Sequence, residues 1–186
     1  MTPKLSKATA KVMAALPNLF QNAMSFCVGF SNDGAEEEQG EDNHPELWLR
    51  FAERMGATKE EVRGHKALPK TLQSVRILKQ LAQSENAEVG MAALYAYESQ
   101  IPEVSTTKID GLKKFYDVSD ERSLSFFTEH ETADVLHSEA TRSALTDLCS
   151  TPEKEERALQ AAEEAADALN LLLDGVVEAH CTDMAA

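Results

Sequence analysis

His130, Asp134 and His137 stand in the stretch FFTEHETADVLHSEA, residues 126–140, where nothing breaks a helix. A helix turns about 100° per residue, so offsets of four and seven put all three side chains on a stripe roughly 60° wide. Two imidazoles and one carboxylate so placed can ligate a divalent iron, manganese or zinc and leave coordination positions open. The same spacing also suits an ordinary solvated face. Spacing alone does not choose between the two.

Other residues could complete such a site. Glu98 lies in AALYAYESQ, within the most apolar stretch of the chain, with Leu94 and Met91 on its face. A lone carboxylate there is costly to bury unless it is paired or coordinated. Glu37 and His44 in EEEQGEDNHPELW are seven apart, two turns if that segment is helical, although Gly40 and Pro45 disfavour a helix and the acidic run also reads as a solvated loop. Glu37, His44, Glu98, His130, Asp134 and His137 together make three imidazoles and three carboxylates. That mixture suits two divalent irons bridged by carboxylates better than one zinc, and three negative charges nearly neutralise two such ions. Tyr95 and Tyr97 flank Glu98 as candidate donors to the ligands, or as plain core residues.

Residues with these roles need helices to aim them, and the chain reads as helix after helix. Apolar periodicity marks helices over 8–28, 45–56, 57–65, 68–83, 86–101, 102–118, 120–149 and 151–178, with a turn at SNDG, residues 31–34. Pro45 suits a first helical position, Gly56 a C-terminal cap, Ser119 or Asp120 an N-cap and Thr151 another, while Pro102 ends or kinks the helix before it. No stretch alternates as a strand does. The expected fold class is all-α, a helical bundle: an N-terminal helix and turn over 1–35, a metal-binding domain over 36–180 and a tail over 181–186.

Composition narrows the function. A net charge of −14 argues against nucleic acid and against an anionic membrane surface, yet it welcomes metal cations. Cys27, Cys149 and Cys181 are odd in number and form no C-x-x-C pair, which favours a reducing compartment. No run approaches the roughly 20 apolar residues that span a bilayer. The first 32 residues hold Lys4, Lys7 and Lys11 and no acid, and Pro17 interrupts their apolar run. A partly buried helix is the better reading there, so the expected location is cytoplasmic, with organelle import left open. Homodimerisation is also open, without a heptad seam to argue from.

In EEEQGEDNHPELWLRFAERMGAT, MAALYAYESQIPEVSTTKIDGL and FFTEHETADVLHSEA the sequence resembles the CADD-like family of heme-oxygenase-fold di-iron oxidases, related more distantly to PqqC and to the TenA thiaminases. The resemblance covers roughly residues 36–178. The family pattern, E-x6-H, a Glu after an aromatic-rich apolar stretch, then H-x3-D-x2-H, falls on Glu37, His44, Glu98, His130, Asp134 and His137. It implies a seven-helix fold without heme that activates O2 at two iron ions, or at a manganese–iron pair. It further implies formation of para-aminobenzoate for folate, with the enzyme's own tyrosine as carbon source and Lys108 of STTKIDG as amino donor. Family members carry a further helix ahead of residue 1 that holds this tyrosine, and no Tyr precedes Tyr95 here, so the expected bundle lacks that helix.

The expectation is therefore a non-heme di-iron oxidase or oxygenase acting on a small molecule or on its own side chain. One alternative is a TenA-like thiaminase or hydrolase with Cys149 as nucleophile, although Cys149 falls about 100° from the ligand stripe with no His a turn away. The other is a non-enzymatic helical interaction protein.

Overall fold

A computed structural model describes residues 42–181. The helix expected over 8–28, the turn at 31–34, Glu37 and the end of the tail lie outside the described residues. Within them run α1 (His44–Arg54), α2 (Lys59–Arg63), α3 (Pro69–Ala82), α4 (Ala87–Glu98), α5 (Ile101–Tyr116), α6 (Glu121–Leu148) and α7 (Pro152–His180). All regular structure among the described residues is helical. No helix among them is long and apolar enough to cross a membrane.

Local chemistry sets where these helices begin and end. Asn43, Asp120 and Thr151 are N-caps whose side chains accept from the backbone N–H of Glu46, Ser123 and Lys154. Thr58 and Glu61 close a reciprocal capping box on α2. After α1, Gly56 takes φ +89° while its N–H reaches Glu53 O and that of Ala57 reaches Ala52 O, so the last turn closes on its own carbonyls. Pro102 corrects the sequence expectation. α4 already stops at Glu98, and Pro102 sits in the first turn of α5, where a missing N–H leaves no bond unmade.

Two cores result. In the first, α3 and α4 pack on α7, which offers Ala158, Ala161, Ala165 and Ala168 to Val75, Leu78, Leu81, Ala92 and Ala93. Small residues at helical spacing let the axes approach closely; at Gly175 an added Cβ would lie 2.9 Å from Lys70 Cβ. In the second, Trp48 and Phe51 of α1 meet Ile109 and Leu112 of α5 and Leu124 and Phe127 of α6. α6 belongs to both, because its far end, Leu145 and Cys149, packs against the first core.

Candidate metal centre

Helical register brings three candidate ligands to one point. Glu98 ends α4, and Asp134 and His137 lie one turn apart in the middle of α6. One ligand atom from each of the three comes within 4.8 Å of the other two. Asp134 is only 6% exposed, and Glu98 and His137 are half-buried. Glu98 Oε2 and Asp134 Oδ2 are shielded from solvent. His137 Nδ1 stands 3.5 Å from Asp134 Oδ1. Two carboxylates this close repel one another, so the arrangement favours a cation between them.

A pair of imidazoles lies one turn nearer the start of α6. His130 and His44 have ring centroids 4.7 Å apart. His130 Nδ1 is 2.6 Å from the carbonyl of Phe126, one turn back, and donating there leaves Nε2 as the ligating nitrogen. His44 is delivered by α1, where it is the first helical residue. Asn43 before it is extended (φ −63°, ψ 153°), so the helix that carries His44 begins at His44. Glu37 itself lies outside the described residues.

Oxygen and imidazole donors, two of them carboxylates, suit iron or manganese, and the residues present fit such an ion. Tyr97 precedes Glu98 and senses both carboxylates. Burial first, then the charges of Asp134 and Glu98, push its hydroxyl well above the usual tyrosine range, so it stays a proton donor.

Lys108 is not among the converging ligands. It is exposed, on the flank of the α5 stripe formed by Ser105, Ile109 and Leu112. Thr106 Oγ1 donates to Glu131 Oε1 at 2.6 Å and marks one side of the α5–α6 seam. Lys108 lies on the opposite flank of the α5 stripe from Thr106. Although Lys108 keeps an exposed surface, the protein around its ammonium partly desolvates it and lowers its pKa. Cys149, the nucleophile of the hydrolase alternative, caps the end of α6 and packs into the first core beside Leu145.

The sequence reading did not single out Phe126 and Trp48, yet Phe126 borders both imidazoles and Trp48 packs on Phe126. Phe126 stacks on His130 with centroids 4.3 Å apart and meets Trp48 edge-on at 4.9 Å. A signal was available: Phe126 precedes His130 by one turn, and Trp48 follows His44 by one turn.

Comparison with known proteins agrees with this chemistry. Residues 6–170 match the family of iron-containing redox enzymes. The chain is similar to a 4-aminobenzoate synthase of Nitrosomonas europaea, 42% identical over 149 residues that cover 80% of this chain and 61% of that protein. It is also similar to a 4-aminobenzoate synthase of Chlamydia trachomatis, 32% identical over 143 residues, 77% of this chain and 61% of that one. The chain thus spans only 61% of the length of these relatives. A domain of unknown function with a heme oxygenase-like fold from Shewanella denitrificans superimposes with a TM-score of 0.71 at 20% identity, covering 99% of this chain and 87% of that one, a likeness of fold alone. With that match across most of its length, and carboxylates and imidazoles gathered where its helices meet, this chain belongs to the iron-containing redox enzymes of heme-oxygenase-like fold.

Proposed function

We propose that the chain holds two iron ions and uses O2 to carry out an oxidation in the formation of 4-aminobenzoate. The observation that carries this reading is the convergence of Glu98, Asp134 and His137 in a chain 42% identical to a 4-aminobenzoate synthase. Iron held by these residues would supply the electrons that reduce O2.

The chain's own residues do the rest. Glu98 and Asp134 neutralise the metal charge, and His137 adds a nitrogen ligand. His130 and His44 would hold a second ion through ring nitrogens, with Glu37 as the remaining carboxylate. Tyr97, kept protonated beside both carboxylates, is a hydroxyl donor available to orient them. Lys108, whose ammonium is disfavoured by desolvation, serves as the nitrogen source. Because imidazole ligates only when neutral, metal is released as the pH falls through the histidine range.

Anaerobic loading of the full chain with ferrous iron, followed by air, tests the reading. Iron retention with a new charge-transfer absorption is expected, and manganese-plus-iron loading run in parallel separates the mixed pair from the iron pair. Absence of retained iron, or an unchanged spectrum on exposure to air, would end it. Lys108→Met is expected to keep iron uptake and O2 consumption while losing the aminated product.

A further inference from the structure

We propose that Trp48 is a self-oxidation site of this enzyme: without substrate, oxidising equivalents leave the metal centre through Phe126 and are spent on the indole. The inference rests on the iron-binding reading above. Trp48 is the one tryptophan of the chain and is 6% exposed, so oxidants in bulk solvent reach it poorly. From the candidate ligand His130, Phe126 is one ring contact away, with centroids 4.3 Å apart, and Trp48 is the next, at 4.9 Å. Beyond Trp48 lie Phe51 and Phe127, at 5.0 and 6.1 Å. Unsubstituted phenyl rings hold their electrons far more tightly than indole. An oxidising equivalent that moves along these rings therefore comes to rest on Trp48.

Helical register enforces the path. Trp48 lies one turn from His44 on α1 and Phe126 one turn from His130 on α6, so the elements that aim the imidazoles also stack the rings behind them. The balance is as follows. O2 becomes two waters by taking up four electrons and four protons. Two electrons come from two ferrous ions, which become ferric. Trp48 gives the other two, exchanging a ring C–H for C–OH derived from water and releasing two protons.

The test loads the full chain with ferrous iron anaerobically, admits O2 in the presence of catalase, and maps peptide masses. The peptide bearing Trp48 is expected to gain the mass of one oxygen atom and the indole emission to fall, neither occurring in chelator-treated protein. Phe126→Leu, which keeps an apolar side chain but removes the ring, is expected to lower the modified fraction several-fold at equal iron content. Ferric iron formed with Trp48 unmodified, modification placed on Tyr97 instead, or equal modification with and without the Phe126 ring would overturn the proposal. A chain that retains no iron or consumes no O2 fails at the earlier reading, and the inference falls with it.

Discussion

Asp134→Asn is expected to stabilise the metal-free protein and to abolish its stabilisation by metal, two effects of opposite sign from one atom. The ligand atoms of Asp134 and Glu98 lie within 4.8 Å, and Asp134 is 6% exposed. Two unit charges at that separation, in an effective dielectric near 20, repel by about 3 kcal/mol. Glu98 is half-buried and one of the two acids can take up a proton instead, so the gain on neutralising Asp134 is about 1–3 kcal/mol. Asparagine has nearly the same shape, so no cavity offsets this. The contact from His137, at 3.5 Å, is too long to return much. For a chain of this size each kcal/mol moves the melting temperature by about 2–4 °C, so the metal-free variant is expected to melt roughly 2–12 °C above wild type. A metal at about a hundred times its Kd adds about 2.7 kcal/mol to the wild type, which raises its melting point by about 5–10 °C. The variant, having lost a ligand, gains far less. Melting curves of both proteins, chelated and loaded, supply the four values needed. A metal-free variant that melts at or below wild type, or an equal metal-induced rise in both, would refute the assignment of Asp134 and Glu98 to one cation site.

Two other perturbations test the scaffold. Glu88, 4% exposed, accepts from Arg157 Nε at 2.9 Å and from Nη2 at 2.5 Å, and that side-chain bond holds its carboxyl below the ordinary 4.5. A depressed folded pKa means the stabilisation is whole above the unfolded value and is lost as pH falls through the folded one, so wild type is expected to lose stability faster than Glu88→Gln as pH falls below the ordinary 4.5; parallel slopes in denaturant titrations would refute this. Ala165→Leu, at a position with no exposure between α7 and its neighbours, is expected to cost about 1–3 kcal/mol through overpacking, and an unchanged melting curve would show that the α7 seam is looser than its alanines indicate.

The parts of the fold that could be read from the chain are those set by short-range rules. The offsets between His130, Asp134 and His137 place them on one stripe for any helix, so that stripe needed no tertiary information. Glu98 stood out because an acid in an apolar stretch demands a partner. Asp120 and Thr151 cap α6 and α7 because their side chains reach the orphan N–H groups three residues on. Pro102 was ambiguous, since a proline is equally incompatible with the interior of one helix and at home in the first turn of the next. The turn at Ser99 and Gln100 decided it. His44 was reachable by its residue type but not by the spacing argument, because α1 begins at His44 itself. The ring stack of Phe126 and Trp48 depends on how α1 crosses α6, a distance no local rule contains.

The position of the candidate centre follows from the division of α6 between two cores. Leu124 and Phe127 bind its first half to the aromatic core of α1 and α5, while Leu145 and Cys149 bind its end to the alanine-lined core of α3, α4 and α7. Asp134 and His137 fall between, where α6 passes from one core to the other, and Glu98 arrives from the alanine-lined core at the end of α4. An apolar seam there would fuse the two cores outright. Polar residues instead leave a joint whose closure depends on what neutralises the two acids. A bound cation does more at this place than fill a pocket: it ties α4 to α6 and so couples the cores. The metal-dependent rise in melting temperature is therefore expected to appear as one cooperative transition in which Trp48, in the aromatic core, reports a metal held largely from the other side.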